Sequence, residues 1–353
     1  MTYPRLIIDT NKIKHNTEVL VKLAAENEIE VAGVTKVFCA NKDITKAIIE
    51  GGVKYLADSR IENMIKLKEF DLPKIFLRLP MLSQVDKVVE YADISLNSEV
   101  EVLESVSMSA IKQGKIHGII LMVDLGDLRE GIYYDEEIFS TVDKIRNLKG
   151  IELVGIGTNL TCYGGVIPDE NNIKRLVDIS KEIEKRYGLK LQIISGGNSS
   201  SIHLLGSKAL NGVNNLRLGE SLVCGTETAY GKRIDETYDD AIVLEAEIIE
   251  NKKKPSVPTG KIGMDAFGNI PEYVDRGIRK RAICAVGKQD LDDRNIIPFD
   301  EKIIIIGASS DHLIIDVTDC ETNYQVGDII KFKLKYSSIL KTMTSAYVDK
   351  KII

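Results

Sequence analysis

The chain has few residues that cross-link proteins or bind metals. Its 353 residues include five cysteines and four histidines. The cysteines are far apart and form no C-x-x-C pair, so neither a disulfide framework nor a structural zinc site is expected. The histidines are equally scattered, and no metal site is predicted. Widely separated cysteines, odd in number, are typical of reduced thiols, which predicts a cytoplasmic protein.

Long hydrophobic runs and a large excess of one charge are also missing. No run of about 18 apolar residues is present, so no membrane-spanning segment is expected. The first residues, MTYPRLIIDT, lack the basic and apolar regions of a secretion signal. The net charge is −6, and acidic and basic residues are interspersed. This charge does not favour a nucleic-acid partner.

The sequence does contain a regular alternation of short apolar runs and amphipathic stretches. Helix-like segments lie between the runs, as in SEVEVLESVSMSAIKQG after a capping Ser98. Eight such repeats predict a closed (β/α)8 TIM barrel, and an open, doubly wound parallel sheet is the alternative. The eight predicted strands are residues 31–37, 54–59, 74–79, 92–97, 118–126, 152–160, 191–197 and 214–220.

The pattern changes after residue 232. Strand-like runs such as AIVLEAEIIE, KIIIIGA and DIIKFKL follow one another without convincing helices, and turn residues such as NKKKP separate them. We therefore predict a barrel domain over residues 1–232 and an all-β domain over residues 233–353. Residues 3–9 are strand-like and are a candidate for the β domain instead of the barrel.

Polar side chains cluster where the predicted barrel strands end, the place where barrel enzymes carry their active sites. The loop SGGNSSS (195–201) follows the seventh strand, and RLGES (217–221) follows the eighth. Barrels frequently bind phosphate between these two loops, so a phosphorylated ligand is expected. The alternative is that Asn198 or Ser199 merely caps a helix.

Lys36 lies near the end of the first predicted strand, VAGVTKV, with Val34 and Phe38 as neighbours. Apolar surroundings favour the uncharged, nucleophilic amine, which suits Schiff-base chemistry. A nucleophilic lysine combined with a phosphate site points to pyridoxal phosphate (PLP). The alternative is a lysine whose side chain only extends past the strand end into solvent.

Taken together, these segments resemble the alanine racemase superfamily of fold-type III PLP enzymes, most closely its alanine/ornithine racemase branch. VTKVFCAN is similar to the strand whose lysine bonds to PLP, which implies that role for Lys36. DLGDLREGI (124–132) resembles the segment whose arginine lies near the substrate carboxylate, here Arg129. The resemblance also implies cofactor-binding positions at Asn159, Asn198, Ser199, Ser200, Arg217, Gly219, Glu220 and Tyr347.

The resemblance assigns roles within LRLGES and within the β domain. Arg217 matches an arginine that meets the pyridine nitrogen, while Gly219 and Glu220 would offer backbone N–H groups to the phosphate. Because arginine only donates, the ring nitrogen is expected to stay unprotonated. GASSDHLIIDVTD (307–319) is similar to a family strand, and it implies substrate binding by Ser310 and Asp311.

Two departures from alanine racemases bear on the substrate. Asn159, in GTNL, stands where those enzymes carry a histidine that packs on the pyridine ring. AVGKQDLD (285–292) stands where they carry a catalytic tyrosine, and it contains Lys288 and Asp290 instead. We therefore expect an ornithine-type racemase with Lys36, Lys288 and Asp290 as catalytic residues. Asp311, His312 and Tyr273 are the other candidates for the second base.

The resemblance also implies a homodimer in which the β domain of one chain completes the site of the other. Other functions stay open at this stage. A PLP-dependent diamino-acid decarboxylase should carry a C-terminal Cys–Asp pair, and no convincing one is found. A non-enzymatic PLP-homeostasis protein would lack the β domain. A barrel enzyme without PLP is the remaining alternative.

Overall fold

The chain forms two compact units in the computed structural model, which describes residues 2–353. One unit spans residues 10–238, and the other combines residues 2–9 with residues 239–353. The division falls a few residues after the predicted boundary at 232, and the N-terminal strand belongs to the second unit. Among the described residues, no helix has the length and apolar character needed to cross a membrane.

The unit of residues 10–238 contains a closed barrel of eight parallel strands. The ring closes because β2 pairs with β9 as well as with β3. This finding confirms the predicted (β/α)8 barrel and excludes the open doubly wound sheet. The strands are β2 Glu30–Val34, β3 Tyr55–Asp58, β4 Lys74–Phe76, β5 Ile94–Asn97, β6 His117–Met122, β7 Ile151–Gly157, β8 Ile193–Ser195 and β9 Asn215–Leu218.

Alternation along the strands divides the barrel core into two layers. In β6 every residue is buried. Ile120 and Met122 pack with apolar residues of other strands inside the barrel. Ile119 and Leu121 instead pack outward against the surrounding helices. Burial on both faces explains why these strands are continuous apolar runs in the sequence.

The helices around the barrel bury one face each. In α7, the buried Ile173, Leu176, Ser180 and Ile183 recur at helical spacing. The expected cap of α5 at Ser98 was wrong, since Glu99 is the N-cap and makes no side-chain capping bond. The helices of this unit are α1 Thr10–Ala25, α2 Lys42–Glu50, α3 Ile61–Leu67, α4 Val85–Tyr91, α5 Val100–Lys112, α6 Asp135–Asn147, α7 Glu170–Tyr187 and α8 Glu220–Cys224.

The second unit is built on an eight-stranded sheet. Its main path runs β12-β15-β10-β11-β14-β13, with antiparallel neighbours throughout, while β1 pairs with β10 and with β16. The strands are β1 Arg5–Ile8, β10 Ile242–Pro255, β11 Ile278–Cys284, β12 Ile296–Pro298, β13 Ile304–Ala308, β14 Leu313–Asp316, β15 Ile329–Leu334 and β16 Asp349–Ile352.

Two expectations about this unit were wrong. The lysine-rich NKKKP is not a turn, because β10 continues through it and pairs with β11 as far as Pro255. A helix is also present, α9 Tyr336–Thr344, although no convincing helix was expected. Its buried face includes Ser338 and Thr342 beside Ile339 and Met343, so polar residues obscure its hydrophobic period.

Candidate active site

Lys36 lies in a turn and not in a strand. β2 ends at Val34, and Thr35 has helical backbone angles, so the predicted strand to Val37 was wrong. A single 3₁₀ turn, Lys36–Phe38, follows, and Cys39 ends it with a left-handed φ of 55°. The turn therefore holds Lys36 immediately beyond the C-terminal end of β2, at the mouth of the barrel.

Asp58 anchors the residue before Lys36. It ends β3, is fully buried, and accepts a 2.6 Å hydrogen bond from the Thr35 hydroxyl. Asn63 and the backbone N–H of Arg60 also donate to it, at 3.1 and 2.9 Å. Burial raises the pKa of Asp58, although these hydrogen bonds partly oppose the shift. The strand next to β2 thus fixes the base of the Lys36 turn.

The loop after β8 is linked to the loop after β9. Asn198 caps the 3₁₀ segment Ser199–Leu204 by accepting from the Ser200 N–H at 2.7 Å, so the capping interpretation of Asn198 is confirmed. The hydroxyls of Ser199 and Ser221 lie 3.0 Å apart. The Ser200 hydroxyl is buried and has no hydrogen-bond partner among the described residues. Capping therefore accounts for Asn198 and leaves Ser200 available to a ligand.

Arg217 is a buried cation on β9. Its guanidinium donates to the Ser195 hydroxyl at 2.5 Å and to the Thr158 carbonyl at 2.7 Å. Burial lowers the pKa of Arg217 to about 10, so the side chain remains protonated near neutral pH. The Thr158 hydroxyl is buried, and no partner for it is found in the described chain. Arg217 is thus a fixed hydrogen-bond donor at the ends of β7, β8 and β9.

Arg129 lies on the loop after β6, across the ring from β2. Its guanidinium forms an ion pair with Glu130 through two contacts. Asp127 fixes the loop after β7 by accepting backbone N–H groups, including those of Thr161 and Tyr163 at 3.0 Å. Burial lowers the pKa of Arg129, but the hydrogen bonds and charge of Glu130 outweigh this effect and leave it raised.

The Asn159 amide connects Arg129 with the loop after β8. It lies between the Asn198 side-chain nitrogen, at 2.9 Å, and the guanidinium of Arg129. Asn198 also donates to the Leu160 carbonyl at 2.9 Å. The structure therefore brings Asn159, Asn198 and Arg129 together, as the sequence pattern predicted for the strand ends.

The side chain of Glu220 was missed by the sequence analysis, which considered only its backbone N–H. Gly219 lies against β2, since a Cβ added there would be 3.0 Å from Cβ of Val34. Glu220 follows it at the start of α8. Burial raises the pKa of Glu220 to about 7, and the charge of Lys36 lowers it in part. The usable signal was a charged residue at the end of β9, which neighbours the Lys36 strand.

The remaining predicted site residues lie in the second unit. Lys288 N–H donates to the Ser309 carbonyl at 2.8 Å, and Gly287 packs so closely on Ser310 that a Cβ would lie 2.2 Å from its carbonyl oxygen. Asp290 is buried and accepts from the Ser345 hydroxyl at 2.6 Å. The other predicted residues of this unit are exposed: Ser310, Asp311, His312, Tyr273 and Tyr347.

The chain matches a known protein family along most of its length. Residues 8–227, most of the chain, match the family described as "Alanine racemase, N-terminal domain". The chain belongs to the alanine racemase family. Its relatives include an ornithine racemase of Acetoanaerobium sticklandii, 49% identical over 352 residues that cover 99% of this chain and 100% of that protein. A lysine racemase of Thermotoga maritima is 40% identical and covers 99% and 98%.

Solved structures of this family share the fold of the whole chain. An alanine racemase from Bartonella henselae, with covalently bound pyridoxal phosphate, superposes with a TM-score of 0.75 and 20% identity over 100% of both chains. An alanine racemase from Clostridium difficile superposes with a TM-score of 0.74 and 18% identity, covering 100% of this chain and 96% of that one. Barrel and β unit therefore both have counterparts in members of the alanine racemase family.

Proposed function

We propose that the chain is a PLP-dependent amino-acid racemase that interconverts L- and D-ornithine. The observation that carries the proposal is the 49% identity to an ornithine racemase over the full length of both proteins. The 40% identity to a lysine racemase favours lysine as a second substrate. Both named substrates carry an ammonium group at the end of the side chain, which defines the substrate class.

The residues at the barrel mouth fit PLP. The buried hydroxyls of Ser200 and Thr158 lack partners in the described structure, as expected of groups that bind a ligand. We assign the phosphate to Ser199, Ser200 and the N–H groups of Gly219 and Glu220, and the pyridine nitrogen to Arg217. Lys36 would hold the cofactor covalently, with Asn159, Asn198 and Tyr347 as further contacts. When bound, PLP withdraws electrons from the α-carbon and so acidifies its proton.

The protein's own groups then move that proton. Lys36 takes the proton on one face of the α-carbon or returns it there, and an acid on the opposite face does the reverse. We assign the second role to Lys288 or Asp290. Arg129 binds the α-carboxylate, which also opposes loss of carbon dioxide, and Ser310 and Asp311 bind the substrate. Arg217, protonated near neutral pH, has no acceptor to offer and keeps the pyridine nitrogen unprotonated.

We further propose a homodimer in the cytoplasm, with the second unit of each chain supplying Lys288 and Asp290 to the barrel of its partner. The group formed by Lys288, Asp290 and Ser310 supports a shared functional surface on that unit. The five cysteines are odd in number and widely spaced in the sequence, which supports a reducing compartment.

Chiral chromatography of each enantiomer of ornithine, lysine and alanine tests the proposed reaction. Incubation with ornithine should reach equal amounts of the two enantiomers from either side. Alanine should react more slowly, because a carboxylate that expects the distal ammonium would be left unpaired. Release of carbon dioxide would instead identify a decarboxylase. Absence of any turnover by a yellow, PLP-loaded protein would identify a binding protein.

A further inference from the structure

Glu130 differs from the other carboxylates at the strand ends of the barrel. Asp58, Asp124 and Asp127 accept hydrogen bonds from backbone N–H groups, which fix their loops. Glu227 likewise accepts from three backbone N–H groups in its own loop. The carboxylate of Glu130 instead contacts a side chain, the guanidinium of Arg129, with both of its oxygens. Its partner can therefore be exchanged without unfolding a loop.

The surroundings of Glu130 make a cationic partner necessary. Only 15% of its side chain is exposed, against 38% for Arg129. The charge of Glu130 also raises the pKa of Arg217, so the carboxylate faces the mouth of the barrel and not the bulk solvent alone. A carboxylate in such a place is costly when it has no partner.

Substrate binding removes the present partner. Under the proposed function, on which this inference rests, the substrate's α-carboxylate binds Arg129. Nε and Nη2 of Arg129 now point at Glu130, while Nη1 and Nη2 face the Asn159 amide. The incoming carboxylate can bind bidentately only where one of these partners gives way, and Glu130 carries the charge that repels it. We propose that the distal ammonium of a diamino acid binds Glu130 in place of Arg129. The substrate then separates the Arg129–Glu130 ion pair, with its α-carboxylate on Arg129 and its distal ammonium on Glu130.

This exchange makes Glu130 a specificity-determining residue. A bound diamino acid forms two ion pairs, one with Arg129 and one with Glu130, in place of the single pair that it breaks. Alanine, or a five-carbon amino acid without the distal nitrogen, satisfies Arg129 and leaves Glu130 unpaired in a largely buried position. Glu182 also pairs with an arginine, Arg186, but within helix α7 and outside the site. It therefore serves as the comparison residue.

Binding of 5-aminopentanoate and pentanoate tests the exchange apart from catalysis. Both lack an α-amino group, so neither can be racemised, and they differ mainly in the distal ammonium. Because the primary amine of 5-aminopentanoate could itself form an imine with PLP, the protein is first reduced with borohydride, which fixes the cofactor to its lysine. Calorimetric titration of the reduced, PLP-loaded protein should show tighter binding of 5-aminopentanoate by roughly 10- to 100-fold. Glu130→Gln should abolish that preference by weakening 5-aminopentanoate alone. Pentanoate should bind equally well or better, whereas a purely structural defect would weaken both ligands.

Two further variants complete the experiment. Glu130→Asp keeps the charge and should retain part of the preference, and it also serves if Glu130→Gln does not fold by circular dichroism. Glu182→Gln, which removes a carboxylate paired with Arg186 on helix α7, should leave the preference unchanged. Equal binding of both ligands by the wild type, full preference in Glu130→Gln, or loss of the preference in Glu182→Gln would each overturn the inference. Chiral chromatography of the same wild-type sample tests racemisation separately, so the two failures are distinguishable.

Discussion

Lys36 owes its position to hydrogen bonds and packing of the residues around its turn. The Thr35 hydroxyl and Asp58 tie the start of the lysine turn to the neighbouring strand β3. Gly219 gives β9 a close approach on the opposite side, where a side chain would meet Val34. The lysine therefore projects from a base that is fixed on two sides, as covalent catalysis requires of its nucleophile.

Replacement of Lys36 by alanine should abolish covalent attachment of the cofactor. Borohydride reduction of the wild type should add the mass of reduced PLP to the peptide that contains Lys36, and the variant should lack that addition. Racemisation should fall by at least about 100-fold. Lys42→Ala is the matched control, because Lys42 forms an ion pair with Glu69 that is largely exposed to solvent. Attachment of PLP in Lys36→Ala would place the covalent bond elsewhere.

Glu220 should make the stability of the ligand-free chain depend on pH. Its pKa is raised from 4.5 to about 7 by burial, so the folded chain holds a proton that the unfolded chain releases. Stability should therefore fall as pH rises from about 4.5 to 7, by up to about 3 kcal/mol. Glu220→Gln imitates the protonated acid and should remove this loss. Urea unfolding at pH 4.5 and 7 measures it, and parallel pH curves for both proteins would exclude the effect.

The sequence allowed the residue types at the mouth to be predicted but not their partners. Lys36, Arg129 and Asn159 follow strands and Arg217 lies near the end of one, and these positions place all four at the same end of the barrel. The Arg129–Glu130 pair and the burial of Glu220 depend on side-chain directions in loops. No periodic pattern records those directions, so both carboxylates were overlooked.

At the scale of elements, helix α7 has the most complete terminal signals. The Asp169 carboxylate accepts from the Asn172 N–H at 2.8 Å, and the Asn172 side-chain oxygen accepts from the Asp169 N–H at 3.0 Å. These two bonds form a capping box. Gly188 ends the helix with a left-handed φ of 63°. Both signals lie within the helix and its flanking residues, so the sequence alone marks the two ends of this helix.

Removal of the cap should cost measurable stability. Asp169→Ala leaves the first N–H groups of α7 without their acceptor, and unfolding free energy should fall by about 1 kcal/mol. Urea unfolding followed by circular dichroism measures the change. Lys181→Ala, at an exposed position in the middle of the same helix, should change it by less than about 0.5 kcal/mol. Equal effects of the two variants would contradict a specific role of the cap.

The elements that were predicted wrongly depend on tertiary pairing. β10 continues through three lysines because β11 offers a full antiparallel partner, and long side chains suit an exposed hairpin. α9 contains two threonines and an isoleucine, which favour strands by themselves. Packing of its buried face therefore outweighs these intrinsic preferences and makes the segment a helix. The barrel strands were easier to predict, since burial on both faces makes most of them largely apolar runs.

Gly155 is a position where barrel closure depends on the absence of a side chain. A Cβ at this residue of β7 would lie 2.1 Å from the Ile193 carbonyl oxygen of β8. Gly155→Ala should therefore displace one strand from the other and destabilise the chain by roughly 1–3 kcal/mol or more. Gly263→Ala is the control, because a Cβ there meets no atom within 4 Å. Similar melting temperatures for the two variants would refute this account.

At the scale of the whole molecule, the proposed shared site predicts complementation between two inactive chains. Lys36→Ala and Lys288→Ala should each have little racemase activity. Mixing them after dissociation and reassociation should restore part of the wild-type rate, because one site in the mixed dimer keeps both wild-type residues. Mixing Lys36→Ala with itself is the control. No recovery, despite mixed dimers detected by native mass spectrometry, would show that both residues act within one chain.

The pairing of β1 with both β10 and β16 has a consequence for synthesis on the ribosome. Residues 5–8 hydrogen-bond to residues 242–245 and to Asp349–Ile352, and all eight barrel strands lie between β1 and these partners in the sequence. At roughly 5–20 residues per second, β1 waits on the order of tens of seconds for β10 to be made. The barrel strands are synthesised in the meantime. The sheet of the second unit can therefore recruit its first strand only after the barrel sequence has been made.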